Sequence, residues 1–68
     1  LSNFTWRTLN DHLPDMTEQQ VLDELTAERA GKGRTVILVR LHQRYTMLRA
    51  ERERSEILAE ARGPQEAV

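Results

Sequence analysis

No cysteine occurs in this chain. Neither a disulfide nor a thiolate metal site can therefore brace it, and the staple-dense extracellular class is excluded. Aromatics are scarce: one Phe, one Trp and one Tyr. No run of about 18 apolar residues is present, so no membrane span is expected. Leu1-Ser2-Asn3-Phe4 shows no basic region leading into an apolar stretch. No secretory signal is expected, and the cytoplasm is the expected location. The missing initiator methionine suits a chain that begins inside a longer reading frame or has been processed. At 68 residues, one domain is the most this chain can form. A chain of this size buries only about 60% of its unfolded surface. Efficient helix packing or self-association must supply the stability.

What is present is charge, and it is segregated. The chain is 31% charged with a net charge of -1. Residues 1–28 hold one base against six acids, a net of -5. Residues 29–50 hold six bases and no acid, a net of +6. Residues 51–68 hold three bases against five acids, a net of -2. Two readings follow: an acidic first half neutralises a basic second helix within the molecule, or the basic segment meets an anionic partner.

The apolar spacing is helical throughout. Trp6, Leu9 and Leu13 recur at intervals of three and four, predicting a short helix over about 5–13 that Thr5 caps and Pro14 ends. Two turns do not hold alone, so this helix must dock. Burial of Phe4 and Trp6 is expected to contribute about 2 to 3 kcal/mol each. Thr17 followed by Gln20 reads as a capping box, and Met16 with Val21 as a hydrophobic staple. The helix they open should run over about 18–30, with Val21, Leu22 and Leu25 as its apolar stripe. Gly31 is expected to take the left-handed C-cap, with Gly33 as a second joint. So short a connection favours antiparallel neighbours.

A long helix is expected from about 35 to 62, with Ile37, Leu38, Leu41, Tyr45 and Leu48 on one face. Val36-Ile37-Leu38-Val39 could open a strand, but nothing elsewhere could pair with it. The wide apolar start instead suggests contact on two sides. Gly63-Pro64 should stop the helix and leave 63–68 as a frayed tail. The fold class is therefore all-α: a helical hairpin with a short additional N-terminal helix. The long helix outruns its partner by more than half its length. Surplus apolar residues Ile57 and Leu58 point to dimerisation into a helical bundle. Leu41, Leu48 and Ser55, seven apart, suggest its seam.

Candidate chemistry is sparse. His12 and His42 lie on separate helices with no third ligand in view, where zinc needs three or four, so no metal and no cofactor is expected. The carboxylates Asp11 and Asp15, or Glu53 and Glu56, lack the walled cleft that general acid–base work needs. Gly31-Lys32-Gly33-Arg34-Thr35 lacks both the spacing and the preceding strand of a phosphate loop. Lys32 and Arg34 still stand at a helix start whose N–H groups attract anions, which makes them a candidate anion contact. Arg40, Arg44 and Arg49, with Tyr45 as an aromatic anchor, are the candidate partner-binding set, since arginine and tyrosine are favoured at hot spots. Tyr45 could equally serve only to close the core. Leu41, Leu48, Ile57 and Leu58 are the candidate dimer or tail-packing residues.

Leu25-Thr26-Ala27-Glu28-Arg29-Ala30-Gly31-Lys32-Gly33-Arg34, entering a helix with Val36, Leu38 and Leu41-His42-Gln43-Arg44-Tyr45, resembles small helical hairpin proteins encoded by bacteriophages and prophages. The resemblance spans about residues 17–62. It implies a small accessory protein that binds a host or phage component, and it assigns no residue a role. The expected function is a non-enzymatic interaction or adaptor protein with a protein partner, paired as a homodimer. The alternative is nucleic-acid binding or small transcriptional regulation through residues 29–49.

Overall fold

The structure, a computed structural model, describes residues 4–66, with side chains described over 4–62. It is all-α. Helix α1 spans Trp6–His12, a 3-10 turn covers Leu13–Asp15, α2 spans Glu18–Ala30, and α3 spans Thr35–Glu66. No strand occurs among the described residues.

Both short helices begin as the local sequence dictates. At α1, the Thr8 N–H donates to Thr5 Oγ1 at 3.2 Å, and the Thr5 N–H to Thr8 Oγ1 at 2.8 Å. At α2, the Gln20 N–H donates to Thr17 Oγ1 at 3.1 Å, and the Thr17 N–H to Gln20 Oε1 at 2.8 Å. Each reciprocal pair satisfies two backbone donors that a helix start leaves open. Thr17→Ala should cost about 1 kcal/mol, read as a lowered midpoint in chemical denaturation. An unchanged midpoint would show that the cap is not limiting.

The α2–α3 turn corrects one expectation. The left-handed residue is Gly33, at φ 61°, not Gly31. The Gly33 N–H donates to the Glu28 carbonyl at 2.8 Å and the Gly31 N–H to the Ala27 carbonyl at 2.9 Å, which closes α2. Gly31 is needed for room instead: a Cβ there would lie 3.1 Å from the Ala27 oxygen. A Cβ on Gly33 would meet nothing within 4 Å. Gly33→Ala should therefore cost only the left-handed penalty, about 1 to 2 kcal/mol. Thermal unfolding would show it, and a loss well above that range would mean that the Gly33 side of the turn is crowded.

The hairpin is antiparallel. Glu28, late in α2, pairs with Arg34 at the start of α3, and Glu18, early in α2, pairs with Arg52 far along it. Leu9, Leu13, Val21, Leu25, Ile37 and Leu41 form the buried core, with Phe4, Met16, Leu38, Tyr45 and Leu48 half-buried around it. Thus α1 and the 3-10 turn that follows it dock through Leu9 and Leu13. Trp6 does not join them: it is 50% exposed. Phe4 instead lies beside the His12 ring, centroids 5.3 Å apart.

At about 1.5 Å per residue, α2 is about 20 Å long and α3 about 48 Å. The molecule accordingly measures 54 × 22 × 16 Å. Two further expectations fail along α3. Val36 and Val39 are exposed, so its apolar start is not covered on two sides. The helix also continues through Gly63 and Pro64 to Glu66. Pro64 gives up one backbone bond, to the Glu60 carbonyl, and at the last turn that loss does not propagate. The expected frayed tail is therefore helical over 63–66, and its last two residues lie outside those described.

Candidate interaction surface

The internal pairings decide which polar groups remain for a partner. Glu28 is only 1% exposed. Its Oε2 accepts from the Arg34 backbone N–H at 2.8 Å and from Arg34 Nε at 2.9 Å, and its Oε1 accepts from Arg34 Nη2 at 2.9 Å. Lys32 and Arg34 were the candidate anion contact. At Arg34 the anion is supplied from within: the Glu28 carboxylate occupies the N–H at the start of α3. Lys32 is exposed beside it.

The Arg34 guanidinium is held above its ordinary value chiefly by its hydrogen bonds to Glu28. Arg52 is raised as well, first by Glu18 and then by Glu56. A cation whose pKa rises on folding contributes stability that is complete below its unfolded value and is lost only as the pH climbs through the folded one. Both pairs therefore persist across neutral and acidic pH as far as the arginines are concerned. The Arg52 pairs are solvent-exposed and add little.

The four candidate partner-binding residues do not form one open patch. Arg40 Nε donates to Asn10 Oδ1 at 2.8 Å and so ties α1 to α3. Tyr45 is half-buried against the core, and the Arg49 guanidinium carbon lies 5.7 Å from its ring centroid. Arg44 is half-buried, its Nε shielded and without a hydrogen-bond partner. Three of the four thus serve the hairpin itself. Of the seam expected from Leu41, Leu48 and Ser55, the first two face inward, Leu41 fully buried and Leu48 packed on the core, while Ser55 is exposed. Over Leu41 and Leu48 the hairpin core itself occupies that spacing.

Ile57 and Leu58 are exposed, as the length mismatch implied. They are not isolated. At about 100° per residue, Val36, Val39, Gln43, Met47, Ala50, Arg54, Leu58 and Ala61 fall on one side of α3. That side lies opposite the face formed by Ile37, Leu41, Tyr45 and Leu48. Val36, Met47 and Leu58 recur at eleven residues, as do Val39, Ala50 and Ala61, and Gln43 and Arg54. An eleven-residue repeat keeps a stripe nearly in line along a helix. The large apolar members are all exposed, Val36 at 60%. Sequence reasoning anchored on the seven-residue interval of the core face and missed this second period, although Val36, Met47 and Leu58 carry it.

Beside the stripe, Leu25, Arg29, Leu38, Val39, His42 and Gln43 line an open, largely apolar groove between α2 and α3. A second hollow near α1, lined by Phe4, His12, Asp15, Met16, Gln20, Asp23 and Glu24, is more polar. No group of three His, Asp or Glu placed to hold a metal ion occurs among the described residues. No helix among them is long and apolar enough to cross a membrane. No protein-family model, curated protein or solved structure matches the chain.

Proposed function

We propose that this chain is a small non-enzymatic interaction protein that binds a helical protein partner along the outer face of α3. The observation behind this reading is the stripe from Val36 to Ala61, about 38 Å long, whose large apolar side chains are exposed in the single chain. An apolar row of that length on a small protein is an interaction site or an aggregation liability. Its regular period favours another helix as the occupant.

Charge supports protein over nucleic acid. Residues 49–62 hold four arginines and four glutamates, so the projecting half of α3 has no net attraction for phosphates. Arg34 and Arg52 are engaged by α2. A photoreactive amino acid at position 58, with one at the exposed Thr26 of α2 as control, tests the reading in cells producing the chain. A protein adduct from position 58 but not from 26 is the expected result. Adducts absent at 58, or binding that moves to nucleic acid and fades steeply with salt, would overturn it.

A further inference from the structure

We infer that the partner on the outer face of α3 is a second copy of this chain, packed antiparallel, with Ile57 of each copy seated in the α2–α3 groove of the other. The inference rests on the interaction reading above and adds the occupant and its register.

Four observations fix that register. Consider two copies of α3 related by a two-fold axis that passes between Leu48 and Arg49. Residues equally far from that point come level. Val36 then faces the partner's Ala61, Val39 the partner's Leu58, and Met47 the partner's Ala50. Two of these layers set a large side chain against an alanine, Val36 against Ala61 and Met47 against Ala50, and the third sets Val39 against Leu58. The fourth layer sets Gln43 against the partner's Arg54, so the two polar members of the stripe meet each other and an arginine donor meets an amide oxygen. Within these four layers no polar residue faces an apolar one; Arg40, level with the partner's Ile57, lies on the opposite flank and is held by Asn10.

The flanking charges agree with this arrangement. In an antiparallel pair related by a two-fold axis, each flank meets the same flank of its partner. His42 and Glu53 share one flank, and their heights in the pair differ by only about 3 Å. Arg44 and Glu51 share the other, again about 3 Å apart in height. Each contact joins a basic or protonatable group to an acid, and symmetry makes each twice. A parallel, in-register pair would set Arg54 against the partner's Arg54 within the stripe, a like-charge contact that is disfavoured when desolvated.

Ile57 supplies the last observation. It is the most exposed large apolar residue among those described, at 62%, and lies on the His42 flank. In the antiparallel pair the partner's Ile57 comes between the heights of Val39 and His42. Those two residues help line the groove whose other walls are Leu25, Arg29, Leu38 and Gln43. The most exposed side chain and the largely apolar hollow therefore meet, once at each end. A parallel pair would leave each Ile57 about 25 Å beyond the groove.

The absence of native cysteine permits a direct test of orientation. The Gln43→Cys/Arg54→Cys double variant is treated with a bis-maleimide of about 10 Å reach, the spacing of packed helices. Both substitutions are on the exposed face, so folding is retained. Within one chain, the two sites are about 16 Å apart along α3. Efficient covalent dimer from the double variant, with little from either single variant, is the expected result. Ile57→Ala should weaken the dimer about 100-fold, roughly tenfold at each of two grooves.

Crosslinking of the single variants as readily as the double would overturn the register. So would an Ile57→Ala dimer as tight as the original. No crosslinked species from any variant would overturn self-pairing itself. In that case, a heterologous adduct from position 58 would leave the interaction reading standing, and its absence would remove both.

Discussion

Replacing Leu41 with alanine is expected to unfold most of the population at moderate temperature. Leu41 is fully buried at the centre of the core, and truncating such a leucine costs about 2 to 5 kcal/mol. A domain of this length has about 3 to 10 kcal/mol in total. The core holds only six buried apolar side chains among the described residues, so neighbouring groups have little capacity to collapse into the space. The far-ultraviolet dichroism melt of Leu41→Ala should therefore begin near room temperature, at the same chain concentration as the parent. A melt shifted by only a few degrees would mean that the hairpin core does not hold the fold.

The second large effect is expected at Glu28. A buried carboxylate is tolerated only when it is paired and its acceptor capacity used. Glu28 meets that condition through three hydrogen bonds to Arg34, one of them from the backbone at the start of α3. It therefore fastens the end of α2 to the beginning of α3 across the glycine turn. Glu28→Ala removes the acceptor, leaves a small void and opens the first turn of α3. The expected cost is about 2 to 3 kcal/mol, measured by denaturant titration. Arg34→Ala should also destabilise, and the double variant should fall short of the sum of the two singles because they share one interaction. Full additivity would show that the pair contributes nothing jointly.

The architecture was legible because local signals agreed with one another. Thr5, Thr17 and Gln20 mark helix starts that tertiary contacts did not shift, and Pro14 marks the end of α1. Charge segregation also translated directly: the acids of α2 meet the arginines of α3 at both ends of the hairpin. Other features depend on geometry that a linear pattern does not carry. Gly31 and Gly33 have equal freedom in the sequence, and only the closing bond from Gly33 to Glu28 selects which turns left-handed. Trp6 shares a helical spacing with Leu9 and Leu13, but it is 50% exposed while they are buried in the core.

The candidate site was legible in part for the same reason. Arg40, Arg44 and Tyr45 look like a binding set when the helix is viewed alone. Docking of α1 turns Arg40 toward Asn10, and packing takes Tyr45 into the core rim. Ile57 and Leu58 were visible as surplus because no partner of sufficient length exists within the chain. Their continuity with Val36, Val39 and Met47 emerges only once the core face is known and the opposite side can be followed along its own eleven-residue period.

An outer face that binds a second copy makes stability depend on chain concentration, because association and folding are linked by mass action. It also places the surplus length of α3 in use: the segment beyond α2 becomes the part that reaches across to the groove of the other copy. Sedimentation equilibrium of the full chain and of Met47→Glu tests this most directly. Met47 lies beside the two-fold axis and is exposed in the single chain, so a glutamate there disturbs pairing without entering the core. The parent should sediment at twice the chain mass of 7.9 kDa and the variant at that mass alone. A parent that remains a single chain at every loading, or a variant that pairs as well as the parent, would contradict it.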